Sequence, residues 1–232
     1  MNNKTNNSTI YYCLNKIGAA SLILFPSILI IAFSMHFMGE FGFRDFINFK
    51  FSYTQPSAER FMELFRSNKL LDIILPHLTV YLALPLLVPA IIYLGKILFD
   101  KNPILSITGV FLSIIGAIFM GGVFGSWLSF VAIGNVSSEQ VSESIPAVTA
   151  LIQSNKLLGM TGVLAGFSLI GFIIIAIGLL ISRVIPKWQA LLILIGNLMI
   201  IMFMDLDNLM LIGAMFWLIG AIPISRKAFK KE

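Results

Sequence analysis

The sequence predicts an all-α, polytopic transmembrane helix bundle of six spans, and three observations predict it. The 232-residue chain is 58% hydrophobic and only 12% charged, whereas soluble domains carry about 25% charged residues. Its apolar residues fall into blocks of about 17–25 residues, the length that a helix needs to cross the bilayer. These blocks lack the alternating polar and apolar pattern of barrel strands, which argues against a β-barrel. Because backbone groups in lipid must be hydrogen-bonded within the protein, the blocks are predicted to be helices.

Six apolar blocks give the predicted spans of one integral membrane domain, 1–232, with boundaries at about 17–38, 73–98, 104–133, 157–181, 188–204 and 209–225. The first block is longer than the apolar region of a signal peptide, so we interpret it as a span. Pro26 inside it predicts a kink. Because Cys13 is the only cysteine, an intrachain disulfide or a multi-cysteine metal site is excluded.

A short amphipathic helix is predicted between spans one and two. Phe61, Leu64 and Phe65 share one helical face, while Glu59 and Arg60 lie on the polar side. We expect this helix to lie on the extracytoplasmic surface of the membrane, directly before span two.

Charge predicts the orientation of the bundle. Six spans put both termini on one side, and that side holds ten Lys and Arg residues against six on the other. The positive-inside rule therefore predicts a plasma-membrane protein with both termini in the cytoplasm. The net charge of +5 is concentrated at the ends of spans, where topology and anionic lipid explain it. Lipid and membrane proteins are therefore the expected partners, and nucleic acid is not.

One pentapeptide occurs twice, as Ser67–Leu71 and Ser154–Leu158, at an offset of 87 positions. Each copy precedes an apolar span, and a Pro-broken basic turn follows each span, at Pro103 and Pro186. The pattern indicates parallel repeats of the kind found in transporters. Duplication of a helical hairpin and chance similarity of apolar sequence remain alternatives.

Small residues recur at every fourth position of span three and predict a packing face of Gly109, Ser113, Ala117, Gly121 and Gly125. Span four offers Gly162 and Gly166. Small side chains let helix backbones approach closely in lipid. We expect spans three and four to pack together, either within one chain or between two copies in a homodimer.

Polar side chains near the start of span two mark a candidate cavity, formed by His77, Thr79 and Tyr81 among several prolines. A proline leaves one backbone carbonyl without its helical hydrogen bond. Such carbonyls and nearby polar side chains can together line a cavity. An ionisable group within a membrane is a functional hypothesis by default. His77 lies near the outer end of its span, however, where an interfacial or packing role is the commoner interpretation.

A metal site is the second hypothesis for the outer ends of the spans. His36 and Glu40 are four residues apart and so share one helical face, as metal ligands would. With Asp72 and His77 they could form a two-histidine, two-carboxylate site of a membrane-embedded hydrolase. Against this, no HExxH spacing accompanies them, and all four stand where ordinary interface residues belong.

The turn before span six holds Asp205, Asp207 and Asn208. Because the flanking spans are short, these groups could lie below the surface and bind a cation or a proton. A solvated turn that caps span six is the favoured interpretation, since Asp and Asn are preferred at helix starts.

Two stretches carry a resemblance, the lead-in to span two at Leu64–Leu71 and the turn from Gly178 to Pro186-Lys187-Trp188. With the order of spans, they resemble small, uncharacterised, six-span bacterial membrane proteins of the domain-of-unknown-function kind. The resemblance implies the span layout and no catalytic or binding residue.

The sequence favours a non-enzymatic role, accessory, sensory or protective, that acts through helix packing and contacts with lipid or protein. No phosphate loop, dinucleotide fingerprint or haem motif predicts a cofactor. The alternative is a carrier or channel for a small neutral or lipophilic solute, with its cavity near the proline-rich second span. A metal-dependent membrane hydrolase is the third hypothesis.

Overall fold

The computed structural model describes residues 3–36, 75–134, 146, 156–202 and 207–230. Seven helices account for nearly all of them, and no strand occurs within these ranges. The helices are α1 (Asn3–His36), α2 (Leu75–Phe99), α3 (Pro103–Gly134), α4 (Lys156–Ala165), α5 (Phe167–Ser182), α6 (Lys187–Met202) and α7 (Asp207–Phe229).

The helices form a closed ring in chain order. Each packs against the next, α3 contacts both α4 and α5, and α7 returns to pack against α1. Apart from α4 and α5, which continue one segment, neighbours run antiparallel, as Gly196 against Gly213 and Gln189 against Gly220 illustrate for α6 and α7. The starts of α1, α3 and α6 therefore lie at one end of the bundle, together with the ends of α2, α5 and α7.

Five helical segments are long and apolar enough to cross a membrane: Ile10–Met35, Leu75–Phe99, Pro103–Val123, Gly162–Ser182 and Leu209–Phe229. The described residues thus form a helical multi-pass membrane bundle, as the sequence predicts. The predicted fifth span corresponds to α6, whose 16 described residues extend about 24 Å. Residues 203–206, which follow it, lie outside the described ranges.

Two helix boundaries differ from the predicted spans. α1 begins at Asn3 rather than near residue 17, because residues 3–16 contain neither Gly nor Pro and the helix can continue outside the apolar block. The predicted span 157–181 is divided into α4 and α5 at Gly166. The Gly166 amide donates to the carbonyls of both Gly162 and Val163, each at 3.1 Å, so the interruption is local.

Several predictions fall on residues outside the described ranges. The amphipathic helix before span two, the first copy of the pentapeptide, and the positions Glu40, Asp72 and Asp205 are among them. The repeat and the extracytoplasmic helix therefore stay predictions.

The core lies inside the ring and is built from buried side chains of six helices, Leu22, Ile91, Ala117, Phe172, Ile193 and Trp217 among them. Glycines bring two helix pairs into backbone contact. A Cβ added at Gly116 of α3 would collide with the backbone of Ser168 in α5, and one at Gly196 would lie 2.5 Å from the Gly213 carbonyl oxygen. Such contacts suit helices that associate in lipid.

Candidate functional site

The predicted cavity near the start of α2 has one polar group that is bonded within its own helix. The Thr79 hydroxyl donates to the Leu75 carbonyl at 2.6 Å. His77 lies in the first turn of the same helix and is half-buried. Tyr81 is 36% exposed, and its ring lies 3.8 Å from the position of a Cβ added at Gly125 in α3. Tyr81 therefore borders the contact between α2 and α3.

The predicted metal ligands are only partly described. The backbone of His36 forms the last residue of α1, and His77 lies in α2, whereas Glu40 and Asp72 are outside the described ranges. Within the ranges that are described, no three His, Cys, Asp or Glu side chains come close enough to hold a metal ion. The four-residue site stays a prediction.

The predicted packing face of α3 meets α5 at its first positions. A Cβ added at Gly109 would lie 2.6 Å from Ile175, and one at Gly171 would collide with the Ser113 side chain. Ala117 is buried in the core. A Cβ added at Gly121 or Gly162 would meet no described atom within 4 Å, and one at Gly166 would meet only its own helix.

One end of the bundle is strongly basic. Eight Lys and Arg side chains lie at this end, and Asp100 is the single acid described there. The eight basic residues are Lys16, Lys96, Lys101, Arg183, Lys187, Arg226, Lys227 and Lys230. Five aromatic residues that are about half exposed or more lie at the same end: Tyr11, Tyr12, Phe99, Trp188 and Phe229. Basic residues and aromatic rings together are typical of a membrane interface.

Two lysines of this basic end are fixed by neighbouring side chains. Lys96 of α2 donates to the side-chain oxygen of Asn15 in α1, and its Nζ atom lies 5.3 Å from the centre of the Tyr11 ring. Lys16 lies 4.1 Å from the centre of the Tyr12 ring. The contact of Lys96 joins α2 to α1, the contact of Lys16 lies within α1, and both hold positive charge beside exposed aromatic surface.

Three aromatic rings meet in the middle of the bundle. Trp217 of α7 is 1% exposed, and its ring centre lies 5.2 Å from that of Phe25 in α1 and 4.8 Å from that of Phe172 in α5. The rings are tilted or edge-to-face, the geometry that aromatic pairs prefer. Each of the three residues lies near the midpoint of its helical segment. The cluster therefore fills the ring of helices close to the middle of the membrane.

Buried polar atoms without a hydrogen-bond partner concentrate on α6 and α7. Throughout the described part of the chain there are five, and four belong to these helices: Gln189 Oε1, Asn197 Nδ2, Trp217 Nε1 and Ser225 Oγ. The fifth is Ser113 Oγ of α3. An unpaired polar group in an apolar interior costs about 1–3 kcal/mol by mutational measures. Four such groups on one helical hairpin therefore need an explanation.

These four residues, which we call the polar row, form two levels. Gln189 and Ser225 lie near the basic end, whereas Asn197 and Trp217 lie eight residues further along their helices, about 12 Å deeper. The sequence interpretation missed the polar row. A signal was present in Asn197, an amide surrounded by Leu, Ile and Met, but nothing in the sequence shows which way its side chain points.

Comparison with protein-family models, curated proteins and solved structures finds no match. The resemblance to small six-span bacterial membrane proteins, which rests on Leu64–Leu71 and the turn after Gly178, therefore stays a prediction. Function has to be inferred from the geometry of the chain itself.

Proposed function

We propose that the chain is a non-enzymatic, six-span protein of the plasma membrane that acts through contacts with anionic lipid and with membrane proteins. The basic, aromatic end of the bundle carries this proposal. Positive side chains near an anionic surface each contribute about 1 kcal/mol to attraction, and aromatic rings fix the depth of the helices. Lys16 and Lys96 are already held beside tyrosine rings, which lowers the entropy lost on binding a phosphate group.

The sixth span of this proposal is α6. Its 16 residues match the short apolar part of α7, and the two helices are in backbone contact. A span shorter than the hydrocarbon core can be accommodated by local thinning of the bilayer. Both termini then lie at the basic end, which the positive-inside rule places in the cytoplasm.

Cys13 allows the orientation to be tested without an added label. It is the only cysteine of the chain and is exposed near the basic end. A membrane-impermeant maleimide should label it in inverted vesicles or lysed cells but not in intact cells. As a reference, the variant Cys13→Ser with Ser137→Cys should give the opposite pattern. Labelling of Cys13 in intact cells would reverse the proposed topology.

Lipid binding is tested by native mass spectrometry of protein purified with equal amounts of phosphatidylglycerol and phosphatidylcholine. The wild-type protein should retain the anionic lipid in preference. The double variant Lys16→Gln, Lys96→Gln should bind it about thirtyfold more weakly, because two contributions of about 1 kcal/mol are lost. Lys156→Gln, at the opposite end, is the matched control and should change little.

Metal analysis of the same sample tests the non-enzymatic part of the proposal. A stoichiometric metal would contradict it and would return attention to His36 and His77. Equal retention of both lipids would contradict the lipid part. A carrier with its cavity beside the proline-rich α2 would need polar groups of α2 that are free to bind a solute. Among the described residues, the unpaired buried atoms lie on α3, α6 and α7 instead.

A further inference from the structure

We propose that the polar row of α6 and α7 binds a small uncharged molecule that both donates and accepts hydrogen bonds, such as a short polyol or a simple amide. The proposal concerns Gln189, Asn197, Trp217 and Ser225, and it is independent of lipid binding at the basic end.

The polar row offers hydrogen bonds that no described protein group takes. Asn197 Nδ2 and Trp217 Nε1 are donors, Gln189 Oε1 is an acceptor, and the Ser225 hydroxyl can be either. The four side chains are at most 4% exposed, so bulk water does not satisfy them. In lipid-embedded proteins, polar side chains are ordinarily bonded to a neighbouring helix or to backbone. Four unpaired groups on two adjacent helices therefore indicate a bound partner.

The backbone contacts of α6 with α7 place these groups at two levels. Gly196 packs so closely on α7 that an added Cβ would lie 2.7 Å from the Trp217 amide nitrogen, and Asn197 is the next residue. At the other level, a Cβ added at Gly220 would lie 2.8 Å from the Gln189 carbonyl oxygen, and Ser225 follows little more than one turn later. Each level thus has one group from α6 and one from α7.

The chemistry of the lining selects an uncharged ligand. Between Gln189 and Met202, and between Leu209 and Ser225, the sequence contains no Lys, Arg, Asp or Glu. An ion would therefore lose its hydration without gaining an opposite charge. The aromatic cluster of Phe25, Phe172 and Trp217 closes the deeper level, so the ligand must be small and approaches from the basic end.

Trp217 provides the signal for the test. The double variant Trp127→Phe, Trp188→Phe leaves it as the only tryptophan. This protein is reconstituted in phosphatidylcholine vesicles and titrated separately with glycerol and with acetamide while Trp217 emission is recorded. We expect a saturable change in emission for at least one of the two probes. A variant that retains only Trp188, which is 49% exposed, should show only a linear solvent response.

Variants of the polar row separate a site from a general solvent effect. Asn197→Leu in the single-tryptophan protein should raise the half-saturating concentration about three- to tenfold, the effect of one lost hydrogen bond. Ser225→Ala should do the same with a smaller change in volume, and it keeps the test usable if Asn197→Leu folds poorly. Thr79→Val, whose hydroxyl bonds within α2, is the control and should leave the titration unchanged.

Two outcomes would overturn the proposal. The first is the absence of saturation with either probe. If Trp217 emission still changes in Asn197→Leu in that case, the polar row holds water alone. The second is an equal half-saturating concentration in Asn197→Leu, Ser225→Ala and Thr79→Val.

Discussion

The first hairpin (α1 and α2) and the last hairpin (α6 and α7) treat their polar side chains in opposite ways. In the first, the Ser27 hydroxyl donates to the Ile23 carbonyl at 2.8 Å, and the Thr79 hydroxyl donates to the Leu75 carbonyl at 2.6 Å. In the last, all four members of the polar row have an atom that is bonded by no group of the described residues. The two hairpins pack against each other through α1 and α7, so both belong to one core.

The hairpins also differ in where their polar groups lie. α1 and α2 have 34 and 25 residues, enough to cross the hydrocarbon with helix to spare. The described part of α6 has 16 residues, and α7 has 23. Gln189 is the third residue of α6, and Ser225 lies in the last turns of α7. The last hairpin therefore has unpaired polar atoms close to the membrane surface, where a polar molecule can exchange with solution.

The difference suggests a division of roles within one bundle. In the first hairpin, the Ser27 and Thr79 hydroxyls bond within their own helices, as expected of a scaffold. The last hairpin combines backbone-to-backbone packing at Gly196 and Gly213 with unpaired polar atoms, which is a costly combination unless it serves binding. Substitutions in the two hairpins can break or sharpen this comparison.

The largest effect is expected at Trp217, which joins the last hairpin to α1 and α5. Trp217→Ala should lower the free energy of unfolding by about 3–5 kcal/mol, because it leaves a cavity in the aromatic cluster. The measurement is SDS-induced unfolding in mixed micelles, followed by far-ultraviolet circular dichroism. Trp188→Ala is the control, since Trp188 is 49% exposed and fills no core. Equal effects of the two substitutions would mean that the cluster does not hold the hairpins together.

A smaller loss is expected at the backbone contact of α6 with α7. An added Cβ at Gly196 would lie 2.5 Å from the Gly213 carbonyl oxygen, so Gly196→Ala must push the helices apart and should cost about 1–3 kcal/mol. Gly121→Ala is the control because no described atom lies within 4 Å of its added Cβ. It should be neutral or stabilising by up to about 1 kcal/mol through helix propensity. The same micelle assay measures both, and a neutral Gly196→Ala would show that the helices do not touch there.

The fold class could be predicted from the sequence because it depends on block length and polarity alone. Helix is the structure that satisfies the backbone of such blocks in lipid, whatever their order of residues. The helix boundaries were harder to predict. The turns of α1 before Ile10 are polar, so no apolar block marks them. The interruption at Gly166 depends on how α4 and α5 meet α3.

The packing face of α3 shows what periodicity leaves out. The prediction followed every fourth residue from Gly109 to Gly125, but each such step advances 400° and drifts about 40° around the helix. The contact with α5 instead follows Gly109, Ser113 and Gly116, steps of four and then three, which stay on one face. Gly116 was therefore missed. Asn197 and Gln189 were missed for a related reason, since the rotation of α6 about its axis is decided by its neighbours.

The smallest expected effect is also the most direct test of the difference between the hairpins. Asn197→Leu removes an unpaired amide nitrogen from the core and, with no solute added, should raise the free energy of unfolding by about 1 kcal/mol. Thr79→Val removes a hydroxyl that has a partner and should lower the free energy of unfolding by about 0.5–1.5 kcal/mol. The volumes lost or gained are small in both cases, so the sign is the informative quantity.

Both variants are compared with the wild-type protein by SDS-induced unfolding in the same micelles. Opposite signs are expected, because replacing an unpaired polar group by an apolar one of similar shape removes a cost, whereas breaking a hydrogen bond adds one. If both substitutions destabilise the protein alike, Asn197 has a partner within the bundle and the contrast between the two hairpins is lost. If glycerol or acetamide then stabilises the wild-type protein but not Asn197→Leu, the amide is the group that a bound solute satisfies.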